Sequence, residues 1–120
     1  MTDLEIAWIA GLFEGEGCIY RNNKSDIRLQ IYMTDKDVLD EFARITGGKV
    51  TGPYLRQPTK RELETGYLPV SPRKEKWSWT EARQDKVNEI LTAMWPYLKS
   101  RRQSRAVELG YSPYRYQAVT

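Results

Sequence analysis

Two acidic residues close the first apolar segment of the chain. Glu14 and Glu16 follow an apolar run over residues 6–13. If that run is helical, both carboxylates lie at the helix C-terminus, whose partial negative charge disfavours each by roughly 0.3–1 kcal/mol. A cation would remove the conflict, and carboxylate and carbonyl oxygens are the hard ligands that Mg²⁺ prefers. The pair is a candidate Mg²⁺ site, although two solvated acids at a helix end would show the same spacing.

The composition limits the other chemistries. The chain has no histidine and one cysteine, Cys18, which excludes His/Cys zinc sites and an internal disulfide. No base is evident beside Cys18, so we interpret it as a small strand residue rather than a nucleophile. We expect a metal on carboxylates and no organic cofactor. A sugar hydrolase using Glu14 and Glu16 as acid and base is disfavoured, because residues two apart on a helix point about 200° from each other.

The charge is unevenly distributed along the chain. The net charge is +3, and residues 1–17 contain acidic residues but no basic one. Two later segments are basic: Arg56, Lys60, Arg61, Arg73, Lys74 and Lys76 form the first, and Lys99, Arg101, Arg102 and Arg105 form the second. An acidic centre between basic flanks suits a phosphate substrate and a cation. Solvated surface charge would explain either cluster taken alone.

Length and composition predict one folded domain. The 120 residues are 40% hydrophobic and 12% aromatic, as in folded proteins. We place the domain at residues 1–110 and a tail at residues 111–120. The acidic start and the lack of an apolar run of about 18 residues predict a soluble, intracellular, cytoplasmic protein without membrane contact.

The first helix is predicted from Asp3 to about Glu14, because Thr2 and Glu5 form a capping box. The helix is apolar on all sides, so it must be buried on all sides, and a small domain can cover only part of it. We therefore expect a second copy of the chain to cover the rest. Small residues recur along it at a spacing of four: Ala7, Gly11 and Gly15. The residues expected at this dimer interface are Ala7, Ala10, Gly11 and Glu14. An ordinary core helix is the alternative.

The remaining pattern predicts an α+β fold in the order α-β-β-α-β-β-α, with a short helix added. Alternation over residues 27–33 predicts a strand paired with residues 18–23. A second helix capped by Thr34 ends at Gly47, and strands at residues 50–54 and 77–80 follow. A third helix is ended by Pro96, and a last one starts near residue 100. Residues 56–75 are expected to form a long basic loop. We expect Trp8, Trp77 and Trp79 in the core.

Residues 9–17, Ile-Ala-Gly-Leu-Phe-Glu-Gly-Glu-Gly, resemble the LAGLIDADG motif of the homing endonucleases. They match it at Ala10, Gly11, Leu12 and Gly17, with apolar replacements at positions 9 and 13 and glutamate at both acidic places. The resemblance extends to the element order and to the Trp-Pro-Tyr-Leu segment at residues 95–98 before the second basic cluster. It covers most of residues 4–109. It implies a four-stranded antiparallel sheet with the helices on one face.

The resemblance also implies roles for single residues. Glu16 corresponds to the metal-binding acid, and Gly15 to the neighbour whose backbone carbonyl helps hold the metal. Glu14 corresponds to an acid that caps or braces structure. Asp35 corresponds to a polar residue that orders water near the scissile phosphate. Arg101 stands where the family commonly has a lysine, and arginine is not a neutral replacement.

The activity that the resemblance implies is Mg²⁺-dependent hydrolysis of both strands of double-stranded DNA by a homodimer, at a long and nearly palindromic site. The alternative is a protein of the same fold that binds nucleic acid without cutting it, as an RNA maturase or a regulator. Strand alternation and the basic loop give the expected DNA-binding residues. They are Tyr20, Asn22, Lys24, Arg28, Gln30, Tyr32, Lys49, Thr51, Arg56, Lys60, Arg61, Arg73, Lys74, Lys76, Ser78 and Thr80. For any one of them an exposed strand or loop position is an equally good explanation.

Overall fold

The computed structural model describes residues 1–22, 26–55, 60–66 and 75–113. Their order is the predicted α-β-β-α-β-β-α with a short last helix, and one further helix lies inside the expected loop. The helices are α1 (Asp3–Glu16), α2 (Lys36–Thr46), α3 (Lys60–Thr65), α4 (Gln84–Met94) and α5 (Ser100–Glu108). The strands are β1 (Gly17–Asn22), β2 (Asp26–Met33), β3 (Lys49–Tyr54) and β4 (Lys76–Glu81).

The four strands form one antiparallel sheet in the order β1-β2-β4-β3, which confirms the expected fold class. Its register decides what lies at each end. Gly17 pairs with Ile31, Met33 with Trp77, and Tyr54 with Lys76. The end at which α1 passes into β1 is therefore also the end at which β2 stops and at which segment 55–75 leaves and rejoins the sheet. We call it the Gly17 end.

Helix α1 begins as its sequence predicts. The hydroxyl of Thr2 accepts the N–H of Glu5 at 3.1 Å, and the Glu5 carboxylate accepts the N–H of Thr2 at 2.8 Å. The helix ends two residues later than expected, at Glu16, where the N–H of Gly17 donates to the carbonyl of Phe13. The second acid is thus the last residue of the helix.

The core lies between one face of the sheet and helices α1, α2 and α4. Alternate residues of β2, Ile27, Leu29 and Ile31, point into it, as the period-two pattern predicts. Trp79 is fully buried and meets the ring of Phe42 edge-on at 4.5 Å between centroids. Its place in the core is confirmed.

Trp77 is half-buried and packs against the core, as expected, whereas Trp8 departs from the expectation. Trp8 is 41% exposed, so the prediction of a core Trp8 is wrong. Trp8 reaches the core only at its rim, with 6.4 Å between its ring centroid and that of Phe42. Because α1 is apolar on every side, its sequence carried no signal for the side that turns outward.

The start of α2 and the expected loop are also corrected. Asp35, not Thr34, occupies the N-cap position of α2, and it makes no side-chain capping bond. Residues 60–65 form α3, because lysine, arginine, glutamate and leucine favour helix and Lys60 lies 4.0 Å from Glu64 one turn on. Residues 56–59 and 67–74 lie outside the described part.

Helix α5 covers the outer edge of β1. The Nε of Arg105 donates to the carbonyl of Ile19 at 3.2 Å, and Nη2 of Arg21 donates to that of Leu109 at 2.6 Å. The first bond uses a backbone carbonyl at the edge of β1, which a free strand would leave open to another chain, and the second fastens a β1 side chain to the end of α5. Beyond the helix, Tyr111 is buried against Trp95, so the packed chain reaches the first residue of the expected tail.

Across the described ranges, no helix combines the length and the apolar character needed to cross a membrane.

Candidate active site

The C-terminus of α1 meets the N-terminus of α5. The backbone N–H of Lys99, just before α5, donates to the carboxylate of Glu14 at 3.3 Å. Arg102, in the first turn of α5, donates through Nε to the backbone carbonyl of Glu14 at 3.3 Å, and its guanidinium lies 6.0 Å from the centre of the Phe13 ring. The positive end of one helix and a guanidinium thus offset the negative end of the other.

These contacts separate the two acids of the motif. Glu14 is half-buried and engaged by α5, whereas Glu16 is exposed and forms no hydrogen bond or ion pair with any other described residue. The carbonyls of Phe13 and Glu14 accept from Gly17 and Arg102, which leaves the Gly15 carbonyl as a last-turn oxygen without a partner in its own helix. Two hard oxygen donors, the Glu16 carboxylate and the Gly15 carbonyl, therefore belong to adjacent exposed residues.

This donor set fits a hard divalent cation but is incomplete. Within the described ranges, no three residues among His, Cys, Asp and Glu come together as a metal cluster. Mg²⁺ takes six oxygen ligands in a nearly octahedral arrangement and usually keeps several waters. One chain therefore provides only part of the ligand set of a cation at Glu16, and the other ligands must come from water, a substrate or a second chain.

The other two candidate catalytic residues lie on elements that converge on the same place. Asp35 follows β2 at the Gly17 end, and its side chain is exposed and unbonded among the described residues. Arg101 lies in the first turn of α5, exposed and without a partner in the described part of the chain. The strand register places the end of α1 and the end of β2 at the Gly17 end, and the Glu14 contacts hold α5 there as well. The three elements that carry Glu16, Asp35 and Arg101 are therefore neighbours.

The face of the sheet opposite the helices is largely polar. The register places Tyr20 beside Arg28, Gln30 beside Thr80, and Tyr32 beside Ser78. Lys49 and Thr51 continue the rows on β3, opposite Thr80 and Ser78. All described strand residues that we expected on this face therefore share it, including Asn22 on β1. Lys76, which we expected in the first basic segment, lies on the same face of β4. We call it the open sheet face.

A hydrogen-bond network lies at the centre of the open sheet face. Nε2 of Gln30 donates to the hydroxyl oxygens of Tyr32 at 3.0 Å, Ser78 at 3.1 Å and Thr80 at 3.5 Å. Ser78 is buried beneath these neighbours, so its expected role as an exposed DNA-contacting residue is wrong. Its small side chain forms the floor of the network instead. Cys18, opposite Gln30 on β1, is exposed on the same face.

The basic residues expected on the loop are only partly described. Lys60 and Arg61 lie exposed on α3, and Lys76 is exposed at the start of β4. The remaining basic candidates lie outside the described residues: Lys24, Arg56, Arg73 and Lys74.

One side of α1 is apolar and has no cover among the described residues. Leu4 is 85% exposed, and Trp8, Ala7, Gly11 and Gly15 are exposed along the same side. We call these five residues the exposed α1 face. The expected dimer residue Ala10 is fully buried in the chain's own core, so the prediction is wrong for its side chain. Glu14 is engaged by α5, whereas Ala7 and Gly11 lie on the exposed face.

Arg102 was not singled out from the sequence, although a signal was present. It lies four residues before Ala106, which is fully buried, and residues four apart share one side of a helix. That spacing places Arg102 toward the core, while Arg101 points to solvent. Tyr54 and Leu55 were also missed, because the register irregularity between Thr51 and Tyr54 interrupts the strand alternation.

The LAGLIDADG-like domain family matches residues 3–68, which is more than half of the chain. Comparison with curated proteins gives no significant match.

Several solved structures share the fold. The homing endonuclease I-CvuI, in complex with its target in the presence of 2 mM Ca, has a TM-score of 0.55 and 18% identity, and the match covers 88% of this chain and 64% of I-CvuI. The archaeal intron-encoded homing endonuclease I-Vdi141I, complexed with DNA, has a TM-score of 0.58 and 12% identity over 97% of this chain and 86% of that one. The homing endonuclease I-TnaI has a TM-score of 0.52 and 18% identity, and the match covers 90% of this chain and 70% of I-TnaI.

This chain thus spans less than two thirds of I-CvuI, and at these identities the likeness establishes the fold. The family match agrees with that fold and contains the acidic motif. The chain belongs to the LAGLIDADG-like domain family.

Proposed function

We propose that this chain is one half of a homodimeric, metal-dependent endonuclease that hydrolyses both strands of a long, nearly palindromic double-stranded DNA site. The observation that carries the proposal is the exposed Glu16 at the Gly17 end of the sheet, which has no partner among the described residues. The endonuclease domain comprises residues 1–110, with Tyr111 packed against Trp95 behind it.

The solved structures that share the fold support a DNA substrate. I-CvuI and I-Vdi141I are described as homing endonucleases in complex with DNA, and I-CvuI was studied with calcium and with magnesium. The open sheet face of this chain carries residues of the types that contact DNA. Arg28 and Gln30 suit base edges, and Lys49 suits phosphates.

A second copy of the chain would cover the exposed α1 face. Gly11 and Gly15 present no side chain there, and a β-carbon added at either would meet no other atom within 4 Å. Two helix backbones can therefore approach closely. The arrangement would bring the Glu16 carboxylates of both copies to the dimer axis, where a divalent cation relieves their repulsion.

The chain's own residues would divide the chemistry as follows. Glu16 and the carbonyl of Gly15 hold the cation, which when bound stabilises negative charge that develops on phosphate oxygens. Arg101 adds positive charge beside the same phosphate, and Asp35 orders water near the phosphorus atom. In-line attack by water would form a new bond to phosphorus and break the bond to the leaving oxygen; the attacking water gives up a proton to solvent, and the leaving oxygen takes one up from solvent. Two copies supply two such sites, one for each strand.

The test is cutting of a sequenced library of nearly palindromic DNA sites with and without Mg²⁺. We expect the wild type to cut a defined set of sites only with Mg²⁺, and Glu16→Gln to bind the same sites without cutting. Glu89→Gln is the matched control, because it removes the charge of another exposed helix glutamate. Unimpaired cutting by Glu16→Gln would remove Glu16 from the site.

A second function, binding of nucleic acid without cleavage, is favoured by one feature. Arg101 stands where the resemblance implies a lysine, and a planar guanidinium does not substitute freely for an ammonium group. If the wild type binds library sites but does not cut them, this second function replaces the first. Arg101→Lys then decides whether the arginine is the cause, because a restored lysine should restore cutting.

A further inference from the structure

The open sheet face carries an apolar pocket at the Gly17 end. Tyr32, Tyr54, Leu55 and Lys76 line a shallow concavity of about 320 Å³, which we call the tyrosine pocket. Tyr32 is 53% exposed and Tyr54 49%. Two exposed aromatic rings and an exposed leucine stand out on a face whose other described side chains, apart from Cys18 and Tyr20, carry hydroxyl, amide or charged groups.

The polar ends of both tyrosines are engaged within the chain. The hydroxyl of Tyr32 accepts from Nε2 of Gln30 at 3.0 Å, and that of Tyr54 donates to the hydroxyl of Thr51 at 3.0 Å. These bonds hold the two rings in place. The pocket therefore presents rigid hydrocarbon surface, whereas free tyrosines would offer mobile hydroxyls to a ligand.

The ligand is constrained by where the pocket lies. It is continuous with the open sheet face, for which we propose duplex DNA, and the ammonium group of Lys76 on its wall suits a phosphate. Among the base edges in the major groove, thymine alone carries an apolar group, its C5-methyl. An apolar pocket with a cation beside it thus matches a thymine and the DNA backbone next to it.

We infer that the tyrosine pocket recognises the C5-methyl group of one thymine in each half of the DNA site. The inference rests on the proposed DNA-binding function and adds a determinant of its specificity. The position of the pocket at the Gly17 end places this thymine on the same side of the half-site as the elements that carry Glu16 and Asp35.

The experiment replaces thymine by deoxyuracil, which removes the methyl group and keeps every hydrogen-bonding atom. Each thymine of a site selected by the wild type is replaced in turn, and affinity is measured with Ca²⁺ in place of Mg²⁺. We expect one position per half-site at which the wild type binds about fourfold more weakly without the methyl group. Tyr54→Ser should bind the thymine and deoxyuracil sites equally at that position.

Tyr97→Ser is the matched control, because Tyr97 is 47% exposed and lies in the turn between α4 and α5, away from the open sheet face. It should keep the methyl dependence of the wild type. If the wild type binds DNA but ignores every thymine methyl group, or if Tyr54→Ser keeps the dependence, the inference fails, whereas the DNA binding that the proposed function requires stands. If the wild type selects no DNA site, both fail.

Discussion

The guanidinium of Arg102 donates through Nε to the backbone carbonyl of Glu14 at 3.3 Å and covers the ring of Phe13. This contact locks the C-terminal turn of α1 against the first turn of α5. Arg101, the preceding residue, points to solvent and makes no contact with another described residue. Two neighbouring arginines of one helix therefore differ in their surroundings: Arg102 packs against the end of α1, and Arg101 is exposed to solvent.

The two arginines should respond differently to removal of their charge. Arg102→Met loses the bond to the end of α1, so we expect the free energy of unfolding to fall by about 1 kcal/mol in urea denaturation. Arg101→Met should change stability by less than about 0.5 kcal/mol but should slow DNA cutting at saturating Mg²⁺. Equal losses of stability in the two variants would contradict this division.

Gly17 is required by close packing. A β-carbon on Gly17 would lie 2.5 Å from Cδ2 of Phe13, and that ring is fully buried and cannot move aside. We expect Gly17→Ala to lower the free energy of unfolding by about 1–3 kcal/mol, measured by thermal or urea denaturation. Gly15→Ala, where the added carbon meets nothing within 4 Å in the single chain, is the control and at dilute concentration should not destabilise the chain.

Gly11→Ala should separate folding from self-association. Gly11 lies inside α1 in open space, and alanine favours a helix over glycine by up to about 1 kcal/mol. At dilute concentration the variant should therefore unfold at a higher temperature than the wild type. If Gly11 lies between two α1 helices, the same methyl group should weaken dimerisation at least about fivefold in sedimentation equilibrium.

The control for Gly11→Ala is Ser104→Ala, which removes an exposed polar side chain on α5 and should leave dimerisation unchanged. A Gly11→Ala variant that dimerises as tightly as the wild type would place the interface elsewhere.

Arg44 ties α1 to α2 in a pH-dependent manner. Its Nη2 lies 2.9 Å from Glu5 and 2.6 Å from Glu41. The Thr2 N–H and then Arg44 lower the pKa of Glu5 below 4.5, and Arg44 lowers the pKa of Glu41. Carboxylates with lowered pKa stabilise the fold above pH 4.5, and this contribution disappears as the pH falls through their folded-state values.

The corresponding variant is Arg44→Met. Its melting temperature should lie below that of the wild type at pH 7, and the difference should shrink as the pH is lowered from 4.5. Lys86→Met, which removes one cation from an exposed pair with Glu89, should have little effect at either pH. A deficit of Arg44→Met that stays constant down to pH 2 would mean that the arginine acts through packing alone.

The elements that could be predicted from the sequence are those with a local signal. The capping box of Thr2 and Glu5 predicts the start of α1, and the alternation of Ile27, Leu29 and Ile31 predicts both β2 and its buried face. Gly47 ends α2 in a left-handed conformation with φ of 85°, which glycine adopts without strain. In each case a few neighbouring residues contain all the information.

The features that were missed, such as which residues of α1 are buried, depend on contacts between residues that are distant in the sequence. An evenly apolar α1 gives no indication that Ala10 faces the core while Trp8 faces outward. The candidate site shows the same limit. The resemblance assigns the two acids different roles, but only the packing of α5 on α1 identifies the Lys99 N–H as the partner of Glu14 and leaves Glu16 without a partner among the described residues. The catalytic roles of Glu16, Asp35 and Arg101 stay predictions.

The segment 55–75 leaves and rejoins the sheet at cross-strand neighbours, because Tyr54 pairs with Lys76. Its ends are held about one strand spacing apart, and each doubling of its length costs only about 0.6 kcal/mol. Segments of other lengths and sequences could therefore be grafted between these two residues without shifting the register. Evolution or engineering could change this segment, and with it the surface that the protein presents at the Gly17 end, while the core and the acidic end of α1 stay unchanged.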